Sequence, residues 1–361
     1  MKKILLSVLM LLATAGMAFA QADLQPLVVV KLNKNESVTV KQLKTRVKTY
    51  EKQMGQTLSA DDRKKILDTI IDEKLMLQAA AKAGVNIPDS AVDQYFLQWM
   101  SQQVGQNLSE KELNDLIKKT QGVTLDEFLT TQVGMSVAEY KAYLKNQLII
   151  QQYVVQSKQS EMQKVTATDD EIRMFYESNK ASFVMNDTIK AFLILVPKGN
   201  DADAAKNKAN ELRNKYVDKK MTVDQIVVQA NIEGSGYQAG ETLIPKTEVA
   251  AQAYGLNYPK LVELFQKEEG YVTEAAETPT DFRVLALEKK YTAKMLSLSD
   301  SVQPESTYTV YQYINQNLTQ QKQMAYLQTA AQELAASFNT PANVEWKKSG
   351  DDLTKLLSWS N

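Results

Sequence analysis

The residue types that most proteins use for acid-base and metal chemistry are missing here, because the sequence contains no cysteine and no histidine. It can therefore have no disulfide, no thiol nucleophile, no imidazole general base and no Cys/His zinc or haem site. Asp201 and Asp203 have the i, i+2 spacing of a calcium loop, but the glycine and the twelfth-position glutamate of such a loop are absent. We expect them to cap a helix, and we expect no catalytic residue, no metal and no cofactor.

The most distinctive side-chain cluster combines three aromatic residues with a methionine. It follows the helix start Pro88-Asp89-Ser90 and consists of Tyr95, Phe96, Trp99 and Met100. Four large side chains this close together cover more than one face of a helix, so we expect some of them to be exposed. Methionine adapts to binding partners of varied shape, which favours a client-binding surface. Packing in a hydrophobic core is the alternative interpretation.

Composition limits the classes of partner. The chain of 361 residues carries 42 basic and 43 acidic residues, a net charge of −1. This balance provides no positive field for nucleic acid and no polybasic patch for anionic lipid. The hydrophobic fraction of 44% and the charged fraction of 24% are typical of folded proteins, and the length predicts two globular units.

The first 20 residues predict a cleaved secretory signal peptide. Lys2 and Lys3 precede an apolar run, Ile4 to Leu12, and Ala18-Phe19-Ala20 has the small-x-small pattern of a cleavage site. The run is too short for a membrane anchor, and no later segment approaches a membrane span. We therefore expect a periplasmic protein. Since that compartment has no ATP and the sequence has no phosphate-binding loop, any work must depend on binding energy.

Hydrophobic periodicity predicts a mainly α protein that also contains an α+β unit. Residues 26–38 read as a hairpin, and residues 39–160 carry the 3.6-residue period of successive helices. After residue 179 the period shifts towards that of strands, and 297–307 read as a linker. A long helix follows, with an apolar stripe that needs a partner surface and consists of Met324, Leu327, Ala331, Leu334 and Phe338.

These segments resemble the SurA and PrsA family of chaperones. The hairpin Leu27 to Val40, the helix Arg63 to Ala80 and the turn Ala83 to Asp89 are similar to the N-terminal chaperone domain, while Ala191 to Val196 resembles the first strand of a parvulin-type prolyl isomerase. Val310 to Trp346 resembles the last helix and strand of the family, which return to the N-terminal domain. The resemblance implies a helical chaperone domain (21–175), a parvulin-like domain (176–292), a linker (293–307) and a C-terminal helix and strand (308–361).

The parvulin-like segment departs from the family pattern at the active site. Active parvulins have a histidine on the first strand and another on the last, and the positions that match here are Phe192 and Arg283. The resemblance therefore implies an ATP-independent holdase with a degenerate isomerase domain and with unfolded exported clients, among them outer-membrane proteins. Two alternatives stay open: an active isomerase with an atypical pocket, and a structural envelope protein with one fixed partner.

Overall fold

The computed structural model describes residues 23–359, so the predicted signal peptide, residues 1–20, lies outside the described residues. The chain divides into two compact units. Unit 1 comprises the chain up to Val165 and the chain from Lys322 onward, and unit 2 is Thr166–Gln321. The predicted fold class, mainly α with an α+β part, is confirmed.

Unit 1 consists of helices and a small sheet. Its strands are β1 (Pro26–Val30), β2 (Glu36–Thr39) and β9 (Val344–Trp346). Its helices before the boundary are α1 (Val40–Met54), α2 (Ala60–Lys82), α3 (Asp89–Val104), α4 (Glu110–Gln121), α5 (Leu125–Val133), α6 (Val137–Ser157) and α7 (Gln159–Met162). Helix α13 (Val310–Phe338) contains the unit boundary, and α14 (Gly350–Leu357) closes the unit.

Local capping chemistry explains where most of these helices begin and end. Thr39, Ser109, Thr124 and Ser136 each form a capping box with the Gln or Glu three residues later. These four residues mark the starts of α1, α4, α5 and α6. Three of these helices, α1, α4 and α5, end at a glycine in the left-handed region. Because these capping residues and glycines fix where the helices begin and end, the loops between the helices are short.

The small sheet of unit 1 joins the two ends of its chain. Its strand order is β2-β1-β9, and both pairs are antiparallel, with Val29 opposite Ser37 on one side and Glu345 on the other. The inward side chains of β1 and β2 pack with helices α1 and α2 and with α14. The residues after α13 therefore complete the core that the first residues begin.

Helix α13 packs through most of its predicted stripe. Leu327, Ala331, Leu334 and Phe338 contact a cluster that includes Met76 of α2 and Val154 of α6. Met324, the first stripe residue, is instead 60% exposed. The start of α13 belongs to unit 2, where Val310 and Ile314 are buried.

Unit 2 is an α+β fold around a four-stranded antiparallel sheet. Its strand order is β5-β4-β7-β6. The strands are β3 (Val184–Met185), β4 (Thr188–Pro197), β5 (Gln238–Pro245), β6 (Ala276–Glu277), β7 (Asp281–Tyr291) and β8 (Lys294–Met295). The helices are α8 (Asp169–Ser178), α9 (Ala202–Val217), α10 (Val223–Ala230), α11 (Glu248–Ala253) and α12 (Tyr258–Gln266), with a short 3-10 turn at Lys180–Ser182.

The division of the chain differs from the predicted boundaries. Helix α8 was assigned to the chaperone domain up to residue 175, but Ile172 and Tyr176 are buried with Leu296 and Ile314 inside unit 2. The predicted linker is also ordered, because Val310 N–H donates to the carbonyl of Asp300 at 2.9 Å and Tyr311 N–H to that of Leu298 at 2.9 Å. Polar composition suggested a free linker, whereas its backbone is hydrogen-bonded.

Candidate functional site

The aromatic cluster on α3 is divided between core and surface. Phe96 and Met100 are buried with Val92, one turn apart along the inner face of the helix, in a core that α4, α5 and α6 complete. Trp99 is half-buried against the Tyr140 ring, at 5.7 Å between centroids. Tyr95 is 46% exposed. Phe96 and Met100 therefore offer no surface to a client, and the predicted client-binding role is left to Tyr95 and the open edge of Trp99.

An apolar depression lies between α6 and α13, and we call it the amide-rimmed groove. It has a volume of about 300 Å³ and is lined only by uncharged side chains. Ile150, Val155, Met324, Leu327 and their neighbours supply the apolar surface. Three glutamines complete the lining: Gln147, Gln151 and Gln328. An exposed methionine beside amide side chains makes a surface that can adjust to ligands of different shape.

A second concavity, the charge-paired cleft, lies between α1, α2 and α6 and has a volume of about 460 Å³. At its centre Arg46 donates two hydrogen bonds to the carboxylate of Glu73, both of 2.9 Å. The Arg46 guanidinium also lies over the Tyr143 ring, 5.7 Å from its centroid. Lys74 and Glu36 form a second pair, with 2.6 Å between Nζ and Oε1. These four charged side chains of the cleft are thus held as partnered ions.

The electrostatics of the cleft keep these pairs ionised. Burial would raise the pKa of Glu36, but the hydrogen bond and charge of Lys74 outweigh burial and hold that pKa below its usual value. Burial would lower the pKa of Arg46, and the hydrogen bonds to Glu73 raise it instead. Burial and the nearby Glu73 carboxylate raise the pKa of Tyr143, so its hydroxyl stays protonated. A charged ligand that binds Arg46, Glu73, Lys74 or Glu36 would have to displace its present partner.

In unit 2 the two predicted isomerase positions lie on opposite faces of the sheet. Phe192 on β4 is paired with Ala286 and is buried against α9. Arg283 on β7 is paired with Leu195, and since side chains alternate along a strand, it faces the other side. The β4 residues that share its face are Leu193 and Leu195. Phe192 and Arg283 therefore do not share a face of the sheet, and the β4 side chains on the face of Arg283 are apolar.

The polar atoms of Arg283 are already engaged within unit 2. Its Nε donates to Oδ1 of Asp281 at 2.6 Å and its Nη2 to Oδ2 at 3.1 Å, while Nη1 lies 3.3 Å from the carbonyl oxygen of Ala253. Asp281 also accepts hydrogen bonds from the hydroxyls of Thr278 and Thr280, at 2.9 Å each. Burial would raise the pKa of Asp281, but these partners outweigh burial and lower it. This group is a closed ion-pair network.

No metal site or membrane span was found in the part of the chain that the structure describes. Across residues 23–359 there is no grouping of three or more acidic side chains that could hold a metal ion. None of the helices in that range is both long and apolar enough to cross a bilayer.

Comparison with known proteins identifies the family of the N-terminal part. Residues 1–154 match the family model of the SurA-like N-terminal domain. A foldase protein PrsA of Clostridium acetobutylicum is 24% identical over 218 residues, which cover 58% of this chain and 57% of the relative. A chaperone SurA of Chromohalobacter salexigens is 24% identical over 219 residues, covering 57% of this chain and 45% of the relative. The chain spans about half the length of the curated relatives that it matches.

Solved structures of similar proteins belong to the same group. One comes from a study of PEB4 and Cj1289, described as SurA-like chaperones of Campylobacter jejuni; it is 16% identical, with a TM-score of 0.30, over 90% of this chain and 99% of that one. The foldase PrsA of Streptococcus pneumoniae is 12% identical, with a TM-score of 0.28, over 90% and 96%. Because these TM-scores are low, the sequence matches carry the comparison. They show that the chain is similar to SurA-like chaperones and PrsA foldases.

Sequence reasoning missed both concavities, because each combines segments that are far apart in the chain. The groove brings Gln151 of α6 beside Met324 of α13, and the cleft brings Arg46 of α1 to Glu73 of α2. One signal was available for the groove. Met324 begins the stripe of α13 and lies between Gln323 and Gln328, which is the composition of a stripe that is only partly covered.

Proposed function

We propose that this protein is an ATP-independent chaperone of the periplasm, which binds unfolded exported polypeptides, including outer-membrane proteins, and keeps them from aggregating. The observation that carries the proposal is the amide-rimmed groove of unit 1. Its lining has no charge, and Met324 is 60% exposed within it. An apolar, adaptable and open surface suits clients that share exposed hydrophobic segments but no common sequence.

Weak binding is what such a function requires. A dissociation constant near 1 μM corresponds to roughly −8 kcal/mol, which holds a client long enough to prevent aggregation and still lets it leave without fuel. A groove of about 300 Å³ buries only a few side chains at a time. The signal-like pattern of residues 1–20 supports a place outside the cytoplasm, where no ATP drives release.

We also propose that unit 2 does not isomerise prolyl bonds. An isomerase must stabilise a twisted amide against a barrier of about 20 kcal/mol, and this takes polar groups directed into a pocket. The face of β4 that Arg283 shares carries Leu193 and Leu195, and the guanidinium of Arg283 is engaged by Asp281. Unit 2 would then serve in packing or binding.

A proline-containing peptide assay tests the absence of isomerase activity. We expect cis/trans exchange at the uncatalysed rate in the presence of the full-length protein, because no polar pair faces the substrate amide. The variant Arg283→Met is the internal control and should leave that rate unchanged. Acceleration close to that of an active parvulin, lost in the Arg283 variant, would contradict the proposal.

Aggregation of an unfolded client, followed by light scattering without nucleotide, tests the groove. The change Met324→Glu places a carboxylate where an apolar client segment would remove its water, so client binding should weaken about tenfold. Met174→Glu is the matched control, since Met174 is another exposed methionine, at 65%, on α8 of unit 2. Equal suppression by both variants and the unaltered protein would contradict the role of the groove.

A further inference from the structure

Helix α1 carries a row of lysines along one side, which we call the lysine stripe. It consists of Lys41, Lys44, Lys48 and Lys52. Their spacings of 3, 4 and 4 residues place them on one face, because positions three and four apart are neighbours on a helix surface. Lys44 is half-buried, and the other three are exposed. The face that packs into the core of unit 1 is a different one and carries Val40, Leu43 and Val47.

Most of the charge of the lysine stripe has no counter-ion within the protein. Lys44 is the exception, because its Nζ lies 2.8 Å from Oδ1 of Asp23. None of the other three lysines forms an ion pair with a carboxylate of residues 23–359. The Nζ of Lys52 donates to the carbonyl oxygen of Thr130 at 3.2 Å, and that acceptor is uncharged. Three positive charges therefore lie along one face of α1 without compensation.

The acidic residues of α1 and of the charge-paired cleft leave this excess in place. Glu51 is the only acidic residue of α1, and its Oε1 lies 3.3 Å from Nη2 of the buried Arg63. Glu139 lines the cleft together with Lys41 and accepts the N–H of Ser136 at 2.9 Å, so it can offset one charge at most. The two paired glutamates of the cleft are occupied with their own cations.

The position of the lysine stripe in the chain favours a lipid surface as its partner. Asp23, which pairs with Lys44, follows the predicted cleavage site after Ala20 by three residues. An extended segment of three residues spans at most about 10 Å, which is close to the Debye length of about 8 Å at physiological ionic strength. A signal peptide still held in the membrane would therefore keep the stripe within the field of anionic headgroups. Leu24, 65% exposed, adds an apolar contact beside it.

We propose that the lysine stripe docks the protein reversibly on an anionic phospholipid surface, with its ammonium groups against the lipid phosphates. The charge balance of the sequence predicted no polybasic patch, because a net charge of −1 averages over the whole chain and conceals the excess on α1. Attachment through a few lysines is weak and is reversed by salt. This inference goes beyond the proposed chaperone function and involves neither a client nor the amide-rimmed groove.

Co-sedimentation with lipid vesicles tests the proposal. The protein is used without residues 1–20, because an apolar leader would bind vesicles by itself. The vesicles are phosphatidylcholine, with or without about one-third phosphatidylglycerol. At about 0.05 M salt the protein should bind the phosphatidylglycerol vesicles at least about tenfold more tightly than the neutral ones, and about 0.5 M salt should release it. Equal binding to the two kinds of vesicle would overturn the proposal.

Lysine variants locate the docking surface. Lys48→Gln should weaken vesicle binding about fivefold, and Lys41→Gln combined with Lys48→Gln about 25-fold. Lys82→Gln is the matched control, because Lys82 is an exposed lysine without an ion pair in the part of the chain that the structure describes, and it lies in the last turn of α2, outside the stripe. This variant should bind as the unaltered protein does.

Two results would contradict the assignment of the stripe to lipid. Equal loss of binding in the stripe variants and in the control variant would show that the position of the lysines has no role. Tighter binding to soluble polyglutamate than to the phosphatidylglycerol vesicles would assign the stripe to an acidic polypeptide instead. Suppression of client aggregation is measured separately, so the failure of this inference leaves the proposed chaperone function standing.

Discussion

At the scale of single residues, the closed network around Arg283 depends on a glycine that brings two backbone segments together. Gly255 follows α11 with φ +68°, and a Cβ built on it would lie 2.8 Å from Cγ2 of Thr278 and 3.2 Å from Nη1 of Arg283. Only glycine fits both the left-handed conformation and this close approach. The backbone of unit 2 at Gly255 thus packs directly against Arg283.

The change Gly255→Ala should therefore destabilise unit 2. A left-handed conformation costs a non-glycine residue about 1–2 kcal/mol, and crowding against Thr278 should add about 1–3 kcal/mol. Gly236→Ala is the matched control, because Gly236 has φ +75° but no atom within 4 Å of an added Cβ. Hydrogen exchange of β4 and β7 amides measures the difference between the two variants. If both lose the same stability, the close approach has no energetic role.

Arg63 is the buried cation that anchors the end of unit 1. It is 3% exposed, its Nη1 donates to the carbonyls of Leu357 at 2.9 Å and Trp359 at 2.7 Å, and its guanidinium lies 4.2 Å from the centroid of the Trp359 ring. Its Nη2 reaches Glu51 at 3.3 Å. One side chain therefore satisfies the carbonyl of the last residue of α14 and one carbonyl two residues beyond it.

Replacing it as Arg63→Met should cost about 3–5 kcal/mol, because carbonyl oxygens and a carboxylate lose their donor. Urea unfolding followed by tryptophan fluorescence reports this loss, since all three tryptophans of the chain, Trp99, Trp346 and Trp359, lie in unit 1. Lys65→Met, at an exposed ion pair on the same helix, should leave the transition midpoint unchanged. Equal shifts in the two variants would contradict the anchoring role.

At the scale of elements, β9 and α14 complete the sheet and the core to which β1 belongs. Val344, Leu353 and Leu357 are buried in the same core as Leu27 and Val30. Deleting residues 340–361 would remove these side chains and leave β1 without one of its two partners. Truncating a single buried leucine to alanine already costs about 2–5 kcal/mol, so unit 1 should be strongly destabilised.

Hydrogen exchange separates this effect from a general loss of structure. The amides of β1 and α2 should lose protection in the truncated protein, while those of β4 in unit 2 should keep it. The cut is placed after α13 because Val310 and Ile314, at the start of that helix, belong to the core of unit 2. Unchanged protection of β1 amides would show that the C-terminal segment does not stabilise unit 1.

The elements that could be predicted from the sequence are those set by local chemistry. Thr39 with Gln42 marks the start of α1, where the helical period was predicted to begin, and β1 pairs with β2 as the predicted hairpin. The polar, glycine-containing segment of β5 carries no strand signal of its own, and its residues from Gln238 pair with β4. A strand that contains glycine and polar residues acquires its structure from its partner strand.

The candidate sites could be predicted less well, for reasons of register and distance. Whether Phe192 faces Arg283 depends on the pairing of β4 with β7, and a shift of one residue reverses the face. On α3, the i, i+4 spacing of Val92, Phe96 and Met100 indicates a buried stripe. The predicted client-binding cluster combined two of these residues with Tyr95 and Trp99, which lie on another face of the helix. Contacts such as Arg63 with Trp359 join positions almost 300 residues apart, which no local pattern reveals.

At the scale of the whole molecule, the chain has the means for binding without a fuel-driven cycle. Its net charge is −1, its sequence has no cysteine or histidine, and the amide-rimmed groove of unit 1 is lined by uncharged groups. Such surfaces discriminate by exposed apolar area and by free main-chain groups. Unfolded polypeptides are the class of ligand that carries both.

The measurement that tests this account most directly is suppression of aggregation of several unrelated unfolded proteins, outer-membrane proteins among them, at a stoichiometric ratio and without nucleotide. We predict that light scattering falls for all of these clients, with dissociation constants near 1 μM, and that the bound clients are released on dilution. Suppression confined to one client would instead indicate a structural protein with a fixed partner. No suppression of any client would contradict the chaperone function.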